Sequence, residues 1–427
     1  MKKWIRNIII AFVVFIIVRT VVTNLSSSND KKTQQSNTPR SLSSVFVQED
    51  SDDISKQSIN VIDNESSADP EDTYWNSVPA ISSKSEYINY VRNCLDSRKK
   101  EIPVKYADGF AIDHSNIYNF GVINKYSYSQ IDKNRVKFFV KYRSGIKIAD
   151  AYLNNDTSEL SEEEKNIYNI AAGIVAQSEK EPSLLRKELY LHDAVIHRCT
   201  YYTDFTLYLE NAELPRFCSV SGVFIDGKAN CQGYSEAFCM LCRMAGFDAG
   251  IVSGDADNGD GSGYQGHSWN YIVLDGWNYY VDATWDDEAF GSTDTDFLYP
   301  EYIYFNVPTE IIMADHKLDE DFTPGNFVKK IDYKYFYCTK EFDGEHFGEY
   351  YDTSDSVYNK MIEYIKNGGS RLHYMMIKNN GRVSDQDNDN TEFGNKLGTY
   401  LEYRVEYFFK KKTVGEYSFY TIYITSP

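Results

Sequence analysis

Three residues of the types that cooperate in nucleophilic catalysis lie within about fifty positions of one another. They are Cys231, His267 and Asp282. A thiolate can attack a carbonyl carbon, an imidazole can take and return the proton, and a carboxylate can orient the imidazole. The chain could therefore build a thiol-dependent catalytic site, provided that its fold brings the three side chains together.

Cys231 is predicted to begin a helix. Apolar residues recur at helical spacing after it, at Tyr234, Phe238, Leu241, Cys242 and Ala245, and Gly246 ends the run. The positive end of the helix macrodipole favours the thiolate form of a cysteine at this position.

His267 and Asp282 are predicted to lie on one face of a β-hairpin. Residues 269–274 and 277–283 are rich in aromatic and β-branched residues, and Asp275-Gly276 between them is a strong two-residue turn signal. This turn places Trp269 opposite Asp282, so His267 and Asp282 are diagonal neighbours with Cβ atoms about 7–8 Å apart or somewhat less. That separation allows a hydrogen bond between the imidazole and the carboxylate.

The three segments resemble, in order, the transglutaminase-like superfamily, whose members carry a Cys-His-Asp triad on a papain-like fold. The segments are Asn230–Tyr234, Gly266–Asn270 and Val281–Asp286, and Tyr304–Asn306 with His316 is a weaker match to the tail of many bacterial members. The resemblance covers roughly Leu160 to Lys317. It implies that Cys231, His267 and Asp282 are the catalytic residues.

The resemblance implies acyl transfer through a thioester, without a cofactor or a metal ion. We expect a cysteine peptidase or amidase acting on a protein or peptide, with a cell-wall peptide as one candidate. A transglutaminase that cross-links proteins is the first alternative, because a lysine amine could replace water as the acceptor. A non-catalytic surface adhesion or binding module is the second.

Residues that support the reaction are harder to predict from sequence. The backbone N–H of Cys231 is expected to donate to the oxyanion. Gln232, Trp269 and Trp285 are candidates for substrate binding or for the oxyanion site, because each adjoins a catalytic residue or lies close to one in sequence.

Two acidic stretches look like calcium loops but lack the required pattern. An EF-hand loop needs Gly at its sixth position and Glu at its twelfth. The stretch from Asp255 has Asp260 and Gly266 there, and the stretch from Asp385 has Asn390 and Lys396. We expect solvated loops at both places. Cys239 and Cys242 form a CxxC pair, but inside the predicted helix and without a second pair, which disfavours a zinc or redox site.

Composition excludes some partners. The chain has 427 residues and a formal net charge of −19. Nucleic acid is therefore not expected as a ligand, and anionic lipid is not expected as a principal one.

The N-terminus is predicted to be an export segment. Lys2, Lys3 and Arg6 precede the apolar run Ile8–Val18, so we expect residues 1–23 to be a signal-anchor or a signal peptide. A signal-anchor would make the protein single-pass in the cell membrane with an extracellular catalytic domain, and cleavage would make it secreted. Residues 24–72 are polar and are expected to form a disordered tether.

The remainder is predicted to be α+β: a core of helices packed on an antiparallel sheet at 156–320, between small α+β modules at 73–155 and 321–427. Each flank shows a helix, a strand, a gap and two more strands, which raises the hypothesis of an internal duplication against simple coincidence. The predicted strands are Ile102–Tyr106, Arg135–Tyr142, Gly145–Ile148, Leu372–Ile377, Tyr400–Phe409 and Tyr417–Ile424.

Overall fold

The computed structural model divides the chain into two compact units, Met1–Pro79 and Ala80–Pro427. It describes residues 70–203, 214–259, 261–287 and 302–318, short pieces between 325 and 351, and 353–368, 373–378, 386–401 and 405–426. The predicted export segment and all but the last residues of the tether lie outside these ranges. None of the described helices has both the length and the apolar character needed to cross a membrane. Helix α1 (Pro70–Ser77) belongs to the first unit.

The N-terminal module of the second unit is a four-stranded sheet in the order β1-β2-β4-β3. Its elements are β1 (Ala80–Ile81), α2 (Lys84–Asp96), β2 (Glu101–Tyr106), a 3₁₀ helix (His114–Phe120), β3 (Ile123–Gln130) and β4 (Arg135–Tyr142). Ser83 caps α2 by accepting a hydrogen bond from the N–H of Glu86. The apolar face of α2 is buried, as its helical spacing predicts.

Three helices precede the predicted nucleophile helix. They are α3 (Ser144–Asn154), α4 (Glu162–Ser178) and α5 (Leu184–Ile196). A capping box is present at the start of α4, where the side chains of Ser161 and Glu164 each accept a hydrogen bond from the other's backbone N–H. The chain then forms β5 (Thr200–Tyr201), a 3₁₀ turn (Arg216–Cys218), a π-helical turn (Gly222–Asp226) and β6 (Lys228–Ala229).

The core sheet is antiparallel and has the order β10-β7-β8-β9. The nucleophile helix α6 (Cys231–Met244) precedes β7 (Ala249–Ala256), β8 (Gln265–Leu274) and β9 (Trp277–Val281); α7 (Thr309–Ile312) and β10 (His316–Leu318) follow. The predicted turn is confirmed, because Leu274 pairs with Trp277 and both turn residues, Asp275 and Gly276, have positive φ. The α+β core of helices on an antiparallel sheet is likewise as predicted.

The C-terminal module is a four-stranded sheet in the order β13-β14-β16-β15. Its elements are β13 (Glu349–Tyr351), α8 (Ser354–Lys366), β14 (His373–Lys378), α9 (Gln386–Tyr400), β15 (Glu406–Val414) and β16 (Tyr417–Ser426). A two-stranded ribbon of β11 (Glu341–Phe342) and β12 (Glu345–His346) precedes it.

The two flanking modules share one topology. In each, a helix joins two parallel strands, the second of these strands pairs antiparallel with the last strand, and the last two strands form a hairpin. The sheet orders β1-β2-β4-β3 and β13-β14-β16-β15 are equivalent position by position. This agreement is what the duplication hypothesis requires.

The predicted strand Gly145–Ile148 is wrong, because these residues lie in α3. A four-residue window cannot separate the two periodicities, and the apolar residues that continue through Ala149 and Ala151 bury one helical face. Gly145 also contacts the nucleophile helix closely. Its N–H donates to Oε1 of Glu236 at 2.7 Å, and an added Cβ would lie 2.9 Å from Cγ of Glu236.

The loop predicted from Asp385 is also wrong, since α9 begins at Gln386 and ends at Tyr400, where a strand was predicted. Asp and Asn disfavour helix interiors, but here a tertiary contact overrides that preference. Asp389 is buried and binds Nζ of Lys411 at 2.6 Å and the hydroxyl of Tyr358 at 2.9 Å. The acidic stretch from Asp255 is partly strand, because β7 continues to Ala256.

Candidate active site

Cys231 is the first residue of α6, as predicted, and Asn230 caps that helix. Oδ1 of Asn230 accepts hydrogen bonds from the N–H groups of Gln232 (3.1 Å) and Gly233 (3.2 Å). The cap leaves the N–H of Cys231 outside the helical hydrogen bonds. The Cys231 residue is 9% exposed, so the thiol lies at the edge of the buried core.

Close packing explains why position 233, in the segment Asn230–Tyr234, is a glycine. An added Cβ would lie 2.8 Å from Cβ of Ala229 and 2.8 Å from the carbonyl oxygen of Phe217. Only glycine lets the first turn of α6 approach these segments so closely.

His267 and Asp282 meet as the hairpin register predicts. Asn270 pairs with Val281 at the end of the ladder, and Nε2 of His267 lies 2.6 Å from Oδ2 of Asp282. Nδ1 is therefore the ring nitrogen left for a nucleophile, and the side chain of Cys231 is within hydrogen-bonding reach of the ring. The three side chains thus converge.

Buried polar contacts fix the nucleophile helix against the strand that carries His267. The amide of Asn270 donates to the carbonyl oxygens of Ser235 (2.9 Å) on α6 and Gly250 (3.1 Å) on β7. The hydroxyl of Ser235 also lies 2.7 Å from the carbonyl oxygen of Ser268. Because these groups are buried, the contacts hold Cys231 and His267 at a constant separation.

Asp282 accepts hydrogen bonds at both oxygens. Oδ1 binds the N–H groups of Thr284 (3.0 Å) and Trp285 (3.2 Å), and Oδ2 binds Nε2 of His267 and, at 3.1 Å, Nε2 of His316. Burial raises the pKa of Asp282, but the charges and hydrogen bonds of His267 and His316 outweigh burial and place that pKa well below its ordinary value. Asp282 is therefore a carboxylate.

His267 is held in its protonated form by its neighbours. Burial lowers the pKa of His267, whereas the charge and hydrogen bond of Asp282 and the contact with Cys231 raise it, to about 10. An imidazolium next to a thiol favours the thiolate.

A further histidine, His316, contacts the acid, and another, His192, contacts Asp286 near it in sequence. Nδ1 of His316 lies 2.6 Å from Oδ1 of Asp315, whose Oδ2 accepts the hydroxyl of Tyr304 at 2.6 Å. On the α5 side, Nε2 of His192 lies 3.2 Å from Oδ2 of Asp286.

Asp286 and Asn306 tie the segment after Asp282 to its surroundings. Asp286 accepts the N–H of Tyr304 at 2.8 Å, and Nδ2 of Asn306 donates to Glu188 on α5 at 2.9 Å. The weakly matching segment Tyr304–Asn306 and His316 thus packs around Asp282, which explains why it accompanies the triad.

The predicted supporting residues have different surroundings. Gln232 is partly buried, and its N–H is used by the cap of α6. Trp269 is fully buried, with its ring stacked 5.9 Å from that of His267. This ring packs against His267, and its role in substrate binding or at the oxyanion site stays a prediction. Trp285 is partly buried and lies 5.4 Å from the ring of His267; its role in binding substrate stays a prediction.

Tyr201 is a candidate that sequence reasoning missed. It lies on β5, which pairs in parallel with β6 so that Tyr201 faces Ala229, two residues before Cys231. Its hydroxyl is within hydrogen-bonding reach of the Cys231 backbone N–H, and burial and the neighbouring anionic groups raise its pKa. The two tyrosines at 201 and 202 were visible in the sequence, but the pairing of β5 with β6 was not.

A lysine of the C-terminal module reaches the same region. Nζ of Lys412 lies 4.8 Å from the centre of the Tyr304 ring and 5.9 Å from that of Trp285. Burial lowers the pKa of Lys412, although the charges of Asp286, Asp315 and Asp282 oppose this shift.

Among the described residues, His267, Asp282 and His316 have ligand atoms within 4.8 Å of one another, a spacing that a metal ion could bridge. Both histidines, however, already share Oδ2 of Asp282 through hydrogen bonds. We therefore interpret the cluster as a hydrogen-bonded network.

Comparison with known proteins identifies similar chains. Residues 168–283 match the sequence model of the transglutaminase-like superfamily. The kyphoscoliosis peptidase of Mus musculus is 33% identical over 100 residues, and that of Homo sapiens is 34% identical over 103. Each alignment covers 21% of this chain and only 14% of the relative's length.

A solved structure described as a TGase is also similar. It is 15% identical in sequence, and the match covers 47% of this chain and 58% of that chain with a TM-score of 0.24.

Proposed function

Because the chain belongs to the transglutaminase-like superfamily through residues 168–283, we propose that it is a cysteine peptidase or amidase that uses Cys231, His267 and Asp282. The observation that carries this proposal is the convergence of the three groups. A thiol at a helix N-terminus lies within reach of an imidazole whose other nitrogen is 2.6 Å from a buried carboxylate.

The reaction begins with Cys231 as thiolate and His267 as imidazolium. The sulfur attacks the amide carbonyl carbon, and the tetrahedral intermediate collapses as His267 gives its proton to the leaving nitrogen and the C–N bond breaks. Water then attacks the thioester carbonyl while His267 takes one of its protons, and the C–S bond breaks, which releases a carboxylic acid and restores the thiolate of Cys231 and the imidazolium of His267. Asp282 stays ionised and orients His267 throughout.

Two donors can stabilise the oxyanion. The N–H of Cys231 is one, and the hydroxyl of Tyr201, which lies within reach of that N–H, is the second. A substrate oxygen at this position would take the place of the contact between the two groups. Loss of one such donor typically costs on the order of 10²–10³ in rate.

The acceptor decides between the two enzymatic alternatives. A cross-linking transglutaminase would bind a lysine amine where the peptidase admits water. The curated relatives in the comparison are named peptidases, which supports hydrolysis as the first candidate. The basic residues before Ile8–Val18 support an extracytoplasmic location, on the cell membrane or secreted.

The substrate test exposes the protein to a mixture of peptides together with a small primary amine. Mass spectrometry would then detect new peptide termini if water is the acceptor, and amine adducts formed with loss of ammonia if it is a transamidase. We expect new termini. Cys231→Ala should lower the rate by at least about 10³-fold, Tyr201→Phe by on the order of 10², and Cys94→Ala, a buried cysteine of the N-terminal module, should keep full activity.

A second measurement separates an enzyme from a non-catalytic binding module. Limiting iodoacetamide near pH 6 should label Cys231 first, because burial raises the pKa of Cys94, Cys239 and Cys242, and that of Cys199 to about 12. His267→Ala should abolish the preference. Preferential labelling of another cysteine would contradict the proposed nucleophile and favour the binding module.

A further inference from the structure

The site contains a second histidine that the triad mechanism does not use. His316 is fully buried and shares Oδ2 of Asp282 with His267, at 3.1 Å and 2.6 Å respectively. The two imidazole rings are 5.5 Å apart between centres.

We propose that His316 is a positioning residue that carries a positive charge, fixes the Asp282 carboxylate and thereby sets the pH range in which Cys231 reacts. This inference rests on the proposed function, since it assigns a role relative to the same nucleophile.

The charge follows from the hydrogen bonds. A neutral imidazole has one N–H group, but both nitrogens of His316 face carboxylate oxygens, Oδ2 of Asp282 and, at 2.6 Å, Oδ1 of Asp315. Asp282 has a donor at each of its oxygens and is ionised. The other oxygen of Asp315 accepts the hydroxyl of Tyr304. Donation from both nitrogens of His316, which requires the imidazolium form, satisfies both facing oxygens.

The rings around His316 support the same charge. Trp285, Trp269 and Tyr304 lie 4.4, 4.9 and 5.5 Å from its ring centre. The negative faces and polarisable rings of aromatic side chains stabilise a nearby cation.

Other ionisable groups face this region from each packed element. They are Asp286 after β9, Asp255 and Asp257 at the end of β7, Lys317 on β10 and Lys412 on β15. Among the described residues, His267 and His316 are the basic side chains that are hydrogen-bonded to the carboxylate of Asp282.

A positive charge on His316, next to Oδ2 of Asp282, has two effects. His316 competes with His267 for the same oxygen, so His267 is less basic than it would be if it alone were hydrogen-bonded to Asp282. It also stabilises the Cys231 thiolate electrostatically. Removing the charge should therefore move the whole pH profile of Cys231 reactivity upward.

The experiment measures the rate of Cys231 alkylation by iodoacetamide from pH 4 to 9, by peptide mapping of the full chain. His316→Gln keeps a donor but removes the charge, and it should raise the midpoint of the profile by about one pH unit. His114→Gln, the same substitution at a histidine of the N-terminal module, is the matched control and should leave the midpoint within a few tenths of a unit. A His316→Gln profile that superimposes on the wild-type profile would overturn the proposal.

Nitrogen-15 NMR of the wild-type chain labelled at histidine gives an independent test, useful if His316→Gln does not fold. A charged His316 has a proton on both ring nitrogens, because each donates to a carboxylate. A His316 ring with a proton on one nitrogen only would overturn the proposal. Failure of wild-type Cys231 to react selectively would instead contradict the proposed function, so the two failures are distinguishable.

Discussion

The two flanking modules have one topology but use it differently. In the N-terminal module the hairpin of β3 and β4 ends in solvent, where Ile131 is 37% exposed and Oδ1 of Asp132 accepts the N–H groups of Asn134 and Arg135. In the C-terminal module the equivalent hairpin packs against the catalytic core. Val414 and Phe419 belong to the central hydrophobic cluster. At Gly415 the hairpin approaches the core so closely that an added Cβ would lie 2.7 Å from Cβ of Ala314.

Each module therefore supports a different half of the site. The N-terminal module supports the nucleophile helix through the residues that follow β4, since Arg143 and Gly145 both bind Glu236 of α6. The C-terminal hairpin supports the acid half of the site, that is, Asp282 and the residues around it. Lys412 lies over the rings of Tyr304 and Trp285, and the turn packs against Ala314. Residues at the hairpin tip, rather than the topology, decide which surface a module presents.

The largest expected effect comes from the contact of the N-terminal module. Glu236 is 2% exposed and accepts hydrogen bonds from Gly145 at 2.7 Å and Arg143 at 3.4 Å. Glu236→Gln leaves the buried guanidinium of Arg143 without its counter-ion, so we expect the free energy of unfolding to fall by about 3 kcal/mol. Denaturant unfolding followed by fluorescence would measure it.

The matched control is an exposed ion pair of the same region. Lys100 and Glu159 are 74% and 79% exposed and 3.4 Å apart. Glu159→Gln should change the free energy of unfolding by less than about 0.5 kcal/mol. Equal effects of the two variants would show that Glu236 does not link the module to α6.

The next effect is the pH dependence of stability, which distinguishes His192, near the acid half of the site, from His114 in the N-terminal module. Burial lowers the pKa of His192, but hydrogen bonds to Asp193 and Asp286 raise it to about 9. A histidine whose pKa is higher in the folded protein than in the unfolded chain stabilises the fold when it is protonated. For His192 this contribution is complete below about pH 6.5, the pKa of an unfolded histidine, and it is lost as the pH rises through about 9. We expect wild-type stability to fall by on the order of 3 kcal/mol from pH 6.5 to 9.5 through this residue, as measured by denaturant titrations.

Variants of both histidines test this assignment. His192→Gln should make the decline smaller, although it also lowers stability at pH 6.5, and the part that remains includes His267, whose pKa is raised to about 10. Burial lowers the pKa of His114 in the N-terminal module, so this residue does not contribute to a loss of stability with rising pH, and His114→Gln should leave the decline in place. If the free energy of unfolding of His192→Gln falls with pH as steeply as that of the wild type, the proton is lost from another group and the assignment to His192 is wrong.

The sequence predicted the parts of the site that depend on local rules. The Asp275-Gly276 turn and the period-two alternation of its strands suffice to place His267 beside Asp282, and the periodicity after Cys231 suffices to place it at a helix start. The roles of Tyr201 and His316 depend on pairings with strands distant in sequence, β6 and β7. Local patterns carry no information on such pairings.

The errors in secondary structure have the same origin. Residues 144–154 and 386–400 are helical because of tertiary contacts, those of Gly145 with Glu236 and of Asp389 with Lys411. Short windows and the low helix propensity of Asp and Asn favoured strand and loop instead. In the C-terminal flank the helix, the strand and the paired strands were predicted in approximately correct order. In the N-terminal flank one of the two predicted paired strands, Gly145–Ile148, is wrong, and β3, the actual partner of β4, was not predicted. The equivalent sheet orders of the two modules nevertheless agree with the duplication hypothesis.

The smallest expected effect tests whether the C-terminal hairpin acts on the chemistry or only on packing. Lys412 lies over the rings of Tyr304 and Trp285, and its charge interacts with Asp282. Lys412→Met keeps the apolar stem and removes the charge, so Cys231 alkylation at pH 6 should slow by about two- to fivefold, as expected for an interaction of about 0.5–1 kcal/mol. Lys125→Met, on the exposed β3 strand of the equivalent N-terminal hairpin, is the matched control and should leave the rate unchanged. If both variants react like the wild type while Val414→Ala destabilises the protein, the C-terminal hairpin supports the acid half by packing alone, and the two modules differ only in what their tips touch.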